Sequence, residues 1–427
     1  MIIVIGAGLA GLTCAQDLIR AGENVLVLEA SDQVGGRVRT DIHKDGYRLD
    51  RGFQVLFTAY PSAKRHLTFD ELKPRKFEPG AILIKSGKRY EITDPIREPE
   101  RILTSLRNPL ISIADKLRLL RLRQEITGFS TADIFSGKSQ IEGKDESTEQ
   151  YLHRFGFSDD GFIDNFARPF YGGIFLDRSL MTSARMFQFT FKMLATGDTI
   201  LPAEGMQRIP EQLAASLPVG SIQYNARVSE LLISDGKAYG VRLANGEVIE
   251  ADKIVVATES PQAAKLTGLP LATEAMSSMC LYFEGDQRLY PQRKILLNAN
   301  HDAYVNNAVL LTNIAPTYAP PKKHLLSVTV LNPSESDDEF VARRCLREMA
   351  RWFLEYDMSA WKFLAAYRKP FSQFSQRPGI FDHLPVNTTS IKSLYLAGEY
   401  TQSSSIQGAM HSGEYAAKAI LQAPILV

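Results

Sequence analysis

A chain of 427 residues has room for two or three domains and a large core, and 44% apolar with 23% charged residues is ordinary for a globular protein, which excludes a disordered chain. With 49 basic against 48 acidic residues the formal net charge is +1, so no whole-chain field draws nucleic acid and any polarity must be local. Cys14, Cys280 and Cys345 stand far apart with no C-x-x-C spacing, so neither a disulfide framework nor a zinc site is indicated, and no metal is expected.

Residues 2–5 are a short apolar run, followed by Gly6, Gly8 and Gly11 as G-x-G-x-x-G and then by helical spacing over 10–21. This predicts strand, tight turn and helix. Gly6 permits the turn, Gly8 lets backbone approach a pyrophosphate, Gly11 lets the helix lie close to the sheet, and the helix opening at Ala10 offers free N–H groups. Residues 25–28 read as a second parallel strand closed by Glu29, about twenty residues past the glycines, where a carboxylate accepts both ribose hydroxyls and would repel a 2′-phosphate. The glycines alone would also suit a plain strand-to-helix turn; with strand, helix and acid all in place, the expectation is a dinucleotide. Cys14 falls within the first helix as a small buried residue. The chain starts almost directly on this strand, without room for a secretory leader, and no apolar run approaches the roughly 18 residues of a membrane span, so a cytoplasmic protein is expected.

Further along, 43–56 alternates around glycines like a hairpin returning to the sheet, and 82–92 reads as another hairpin turning at Ser86-Gly87-Lys88. The 101–129 stretch crowds Leu117, Leu119, Leu120 and Leu122 among Lys116, Arg118, Arg121 and Arg123. Such a helix either lies in a membrane interface, leucines down, or packs on a core with a solvated charged face. A polar surface loop is expected over 136–149. Phe170, Tyr171, Phe187, Phe189 and Phe191 are candidates for a long apolar pocket, with plain core as the alternative. A helix over 208–217 and strands at 221–224, 227–231, 238–243 and 254–257, with a hairpin turn at Asn245-Gly246, return the chain to the nucleotide unit. Strands at 279–283, 308–312 and 325–331 and a helix near 340–354 suggest a mixed sheet with helical cover, without a second G-x-G-x-x-G. The last unit is a strand over 394–397, Gly398-Glu399, and a helix from about Gln407 whose N-terminus suits negative charge and whose Gly413, Ala416 and Ala417 would let it pack under the first strand.

Two runs carry a family resemblance. Glu29-Ala30 with Gly35-Gly36-Arg37 gives E-A-x(4)-G-G-R-x-x-T, and LAGEYTQ followed by SSIQGAMHSG closes the chain. Together these resemble the flavin-containing amine oxidase, protoporphyrinogen oxidase and phytoene desaturase superfamily, and the closing run is most similar to carotenoid desaturases of the phytoene type. The resemblance implies a two-lobed α/β fold: a Rossmann-like FAD-binding domain from 1–75, 202–268 and 380–427, a mixed-sheet substrate domain from 76–100 and 269–379, and a helical subdomain over 101–201 that could face a membrane. It implies FAD, with Gly36 and Arg37 at the pyrophosphate, Ala30 beside the adenosine ribose, Val228 holding adenine through its main chain, and Gly52 and Phe53 along the isoalloxazine ring. It further implies Gly398 and Glu399 at the ribityl or pyrophosphate region and the backbone of Ile406 and Gln407 at the pyrimidine edge. Ser403-Ser404-Ser405 stands where monoamine oxidases carry a cage aromatic or a flavin-bonded cysteine, so the FAD is expected to be noncovalent. The activity implied is hydride abstraction from a lipophilic carbon skeleton, polyene or tetrapyrrole, with oxygen or a quinone taking the electrons. An amine or amino-acid oxidase and a non-redox flavoprotein isomerase are the alternatives. No catalytic residue is assigned: Tyr400 and His411 lie nearest the closing motif, and His411 shares a helical stripe with Glu414 and Lys418 that is expected to face solvent.

Overall fold

The structure is a computed structural model and describes residues 1–101, 103, 107–140 and 143–422. Its first sheet is parallel and centred on Ile2–Ile5, flanked by Val25–Leu28 and Lys253–Val256, with Ile222–Gln223 and Leu394–Leu396 at the edges. All four residues of the central strand are buried, which is why it reads as an unbroken apolar run rather than an alternation. Helix Leu9–Arg20 covers one face. On the other, Ile3 and Ile5 pack with Val228, Leu231 and Val241 of a three-stranded antiparallel sheet, whose Asn245-Gly246 turn has the positive φ that such a turn needs.

The closing helix, Ile406–Gln422, does not pack under the first strand as its small residues suggest. It crosses helix Leu9–Arg20 instead: a Cβ on Gly413 would collide with the Ala10 carbonyl and lie 2.9 Å from Thr13 Cβ. Small residues let two helix backbones approach, and here they bring the two ends of the chain together.

The second sheet has seven strands in the order Lys362–Phe374, Ala275–Gly285, His324–Leu331, Val305–Leu310, Ile295–Asn298, Ala81–Lys85 and Lys88–Ile92. Side chains alternate between its faces. Met279, Leu281 and Phe283 pack with Val341, Cys345 and Met349 of helix Asp338–Met349, while Ser278, Cys280 and Tyr282 point the other way, toward the parallel sheet and the helical segment. That segment comprises helices Ile113–Gly128, Thr131–Phe135, Thr148–Arg154, Asp159–Ala167, Arg168–Phe175 and Ala184–Thr196.

Two other expectations need correcting. The hairpin around 43–56 does not join the parallel sheet, whose edges are taken by Ile222–Gln223 and Leu394–Leu396; Thr40–Ile42 and Arg48–Asp50 form a separate ribbon, and Leu56–Phe57 pairs with Thr199–Pro202. Residues 311–314 are a short helix rather than the end of a strand, held there by Asn313 donating to the Tyr290 and Gln292 carbonyls. In the 136–149 stretch, 141 and 142 lie outside the described residues, as do 102 and 104–106 of the 101–129 stretch. All three cysteines are buried and free. No described helix is long and apolar enough to cross a membrane.

Candidate active site: one cavity from the glycine turn to a leucine-lined mouth

A cavity of about 830 Å³ starts at the first strand-to-helix turn and runs between the two sheets into the helical segment. Every expected cofactor position except Gly11 and Gln407 lines it. Gly6 has φ +108°, and a Cβ there would sit 3.0 Å from the Ala257 carbonyl; Gly8 caps helix Leu9–Arg20 with no side-chain cap, and a Cβ on it would meet nothing within 4 Å. Gly36 closes the cradle from the opposite wall, its Cβ position 3.5 Å from Gly8 Cα. Gly11 has a packing role, because any side chain would strike the Gly6 carbonyl. The Leu9, Ala10 and Gly11 N–H groups have no acceptor among the described residues, which leaves the positive end of the helix aimed at open space.

Glu29 is buried beside Ala30, accepting from Ala7 N and Ser31 N at 2.8 Å and from the Ser31 hydroxyl at 2.7 Å. Oε2 uses one of its two lone pairs on Ala7, so it retains capacity for a hydroxyl from the cavity. Val228 sits where a bulge interrupts its antiparallel ladder. Arg37 gives its aligned hydrogen bond to the Ser372 carbonyl at 2.8 Å and stands 2.6 Å from Glu399 Oε1, which is left without an aligned donor. Burial opposes the charge on Arg37, and the Glu399 carboxylate more than offsets it, raising its pKa.

At the far end of this stretch, Ser405 Oγ accepts from Gly408 N at 2.8 Å, while the N–H groups of Ile406 and Gln407 find no acceptor among the described residues. The Gln407 side chain turns away from the cavity to Ser62, bonding both its N–H and its hydroxyl at 2.8 Å, and so fixes helix Pro61–His66. Two helix N-termini with free N–H groups, a glycine cradle that a Cβ would intrude upon, an acid with a spare lone pair and an under-satisfied carboxylate beside an arginine together fit a dinucleotide with a charged pyrophosphate and a charge-accepting ring.

Past Gly52, which has φ +129° and open space at its Cβ position, and Phe53, the walls become apolar: Phe162, Phe166, Phe170, Phe191 and Leu194. Of the five aromatics singled out from the sequence, Phe170, Tyr171 and Phe191 line the cavity. Phe187 and Phe189 do not: they are fully buried core, Phe189 stacked on Tyr60 with ring centroids 6.0 Å apart. The mouth is formed by Ile96, Ile113, Leu117 and Leu120, which line the cavity yet are 52%, 66%, 62% and 44% exposed. Helix Ile113–Gly128 buries Leu122 and Ile126 and leaves Ile113, Leu117 and Leu120 uncovered, so only part of its aliphatic content is spent on the core.

Several residues were not expected in the cavity from the sequence: Arg51, Ser278, Cys280, Asn307, Thr329 and Lys369. The alternation Ser278-x-Cys280-x-Tyr282 was the available signal for the floor; the others lie on strands whose partners come from distant parts of the chain. Cys280 hydrogen-bonds Ser327 Oγ at 3.3 Å, and burial pushes its thiol up to about 11, so it is a neutral thiol rather than a nucleophile. Tyr400 lines the cavity, donating to the Val256 carbonyl at 3.3 Å, and burial pushes its hydroxyl pKa up, which removes it as a proton acceptor at neutral pH. His411 is not in the cavity and is not fully solvent-facing either: it is half-buried against the Tyr415 ring, 4.4 Å between centroids, while its stripe-mate Glu414 turns to His66 at 3.0 Å. Among the described residues no group of side chains could hold a metal ion.

The comparisons agree with this geometry. The family described as flavin containing amine oxidoreductase matches residues 9–421. The 15-cis-phytoene desaturase of an Oncidium hybrid cultivar is 26% identical over 99% of this chain and 78% of its own, and that of Synechococcus elongatus is 25% identical over 98% and 95%. The crystal structure of an oxidoreductase from Methanosarcina mazei superposes with a TM-score of 0.74 at 18% identity, covering 99% of both chains. This chain is therefore an oxidoreductase belonging to the flavin containing amine oxidoreductase family.

Proposed function

We propose that the protein binds FAD noncovalently and uses it to dehydrogenate a carbon–carbon bond of a lipophilic substrate, a polyene or tetrapyrrole skeleton. The observation that carries this is the continuity of one cavity from the Gly6–Gly8–Gly36 cradle, through the Phe162–Phe170 walls, to a mouth of exposed aliphatics. Bound FAD supplies the hydride acceptor. The chain's own part is to hold the pyrophosphate on the Leu9–Arg20 helix N-terminus and Arg37, to keep positive potential at the N-terminus of Ile406–Gln422, and to exclude water with the aromatic walls. Oxygen or a quinone is the proposed electron acceptor.

An amine oxidase is the weaker reading because the Ser403-Ser404-Ser405 stretch, which brings Ser404 and Ser405 to the cavity, carries no aromatic ring. Isomerase action without net oxidation would require the cofactor to enter reduced. Anaerobic mixing separates these readings: bleaching of the bound flavin by a polyene or protoporphyrinogen and not by putrescine supports the dehydrogenase. Bleaching by putrescine alone, or turnover only after prior reduction, contradicts it. We further propose peripheral contact with a bilayer through the mouth, where Ile113, Leu117 and Leu120 are exposed beside Arg118 and Arg121.

A further inference from the structure

The cavity floor is ordered along the seven-stranded sheet. Residues directly opposite in neighbouring strands face the same way, and one continuous row runs Tyr367, Cys280, Thr329, Asn307, Leu297 and Leu83. Two residues along, on the same face, Lys369 stands opposite Ser278. The floor therefore changes from an ammonium and a hydroxyl at the Lys362–Phe374 edge, through Thr329 and Asn307, to Leu297 and Ile295 on the side of the mouth.

Lys369 is the unusual member. The other cations at that end have carboxylate partners: Arg51 is bidentate to Asp41 at 2.8 to 3.1 Å, and Arg37 stands against Glu399. The Lys369 ammonium has no hydrogen-bond or ion-pair partner among the described residues, although it is half-buried and lines the cavity. Burial lowers its pKa, with Arg51 and Arg37 pushing the same way and Asp41 and Glu259 opposing. A desolvated, unpaired ammonium is stabilised by an incoming anion more than by any neutral group. Asn307 is itself braced, donating to Thr329 Oγ1 at 3.2 Å and accepting from Asn306 at 2.9 Å, so the row next to Lys369 is a fixed polar surface.

We infer that the substrate is an amphiphile: a carboxylate-class head on Lys369 with Ser278 opposite it, the polar Thr329 and Asn307 further along the floor, and an apolar body extending over Leu297 and Ile295 toward the mouth. This rests on the reading of the cavity as a flavin and substrate site. A plain hydrocarbon body would leave the Lys369 end facing carbon.

The test uses FAD-loaded, desalted protein titrated with oleate and with methyl oleate, below their aggregation concentrations, while the bound-flavin spectrum is followed. Oleate is expected to perturb the spectrum with a Kd at least about tenfold lower than methyl oleate; Lys369→Met should abolish the difference and Lys369→Arg preserve it. Equal affinities, no perturbation by either compound, or a difference that survives in Lys369→Met would overturn the inference. So would release of FAD from Lys369→Met on desalting, which would assign the ammonium to the cofactor's phosphates. A wild-type protein that is itself colourless after desalting would remove the flavin reading instead.

Discussion

Asp50 accepts from the Thr40 hydroxyl at 2.5 Å, from Met206 N at 3.0 Å and from the Tyr318 hydroxyl at 3.0 Å, two residues before the glycine that faces the cavity. Burial outweighs those donors and pushes its pKa up to about 6. Because the folded value lies above the unfolded one, the folded state holds the extra proton between about pH 4 and 6, so this contribution to stability is complete at low pH and is lost as pH rises through 6. Thermal midpoints measured from pH 4 to 8 should show that decline, and Asp50→Asn, which keeps an acceptor for Thr40 and Met206, should flatten it. Glu414 has the opposite sign: burial is overcome by hydrogen bonds from His66 and Arg65 and its pKa falls to about 2, so its contribution is present at neutral pH and disappears only on acidification below about 4.5. If FAD binds as proposed, Glu29→Gln removes a charged acceptor for a ribose hydroxyl; about 1.5–3 kcal/mol, or roughly a 10- to 100-fold weaker FAD Kd by fluorescence titration, is the expected loss. Glu29 and Arg37 were legible because their positions are fixed relative to a local glycine turn. Asp50 and Lys369 were not, since what makes each unusual is burial, and burial is decided by elements far away in the chain.

At the scale of elements, the crossing of Leu9–Arg20 by Ile406–Gln422 brings both helix N-termini, with their free N–H groups, to the cavity. Gly413→Ala places a methyl group into the Ala10 carbonyl, so a stability loss of about 1–3 kcal/mol in denaturant unfolding is expected, together with weaker FAD retention. Both helices were legible from glycine spacing and small-residue periodicity. Their mutual packing was not, because small residues announce a close approach without naming the partner. Helix Ile113–Gly128 shows the same limit: its leucine and arginine content suggested an amphipathic face, and only the structure shows that Leu122 and Ile126 go inward while Ile113, Leu117 and Leu120 surround the cavity mouth. Flotation on anionic liposomes should therefore fall sharply for Leu117→Asp with Leu120→Asp, and unchanged flotation would remove the bilayer proposal.

On the scale of the molecule, the two sheets make different use of the same chain. The parallel sheet is assembled from strands at both ends and in the middle of the sequence and presents glycines and helix N-termini. The seven-stranded sheet, from 81–92 and 275–374, presents a floor that grades from polar to apolar. The first was readable in outline because each βα turn is a local signal. The row from Cys280 to Leu297 was not, since four strands must be set in register before those side chains become neighbours. The most direct measurement is the flavin content and anaerobic reactivity of the purified protein after loading with FAD and desalting. The account predicts close to one FAD per chain, released by denaturation, and bleaching by a lipophilic polyene or protoporphyrinogen. A colourless protein, or a bound flavin that only a hydrophilic amine can bleach, would contradict it.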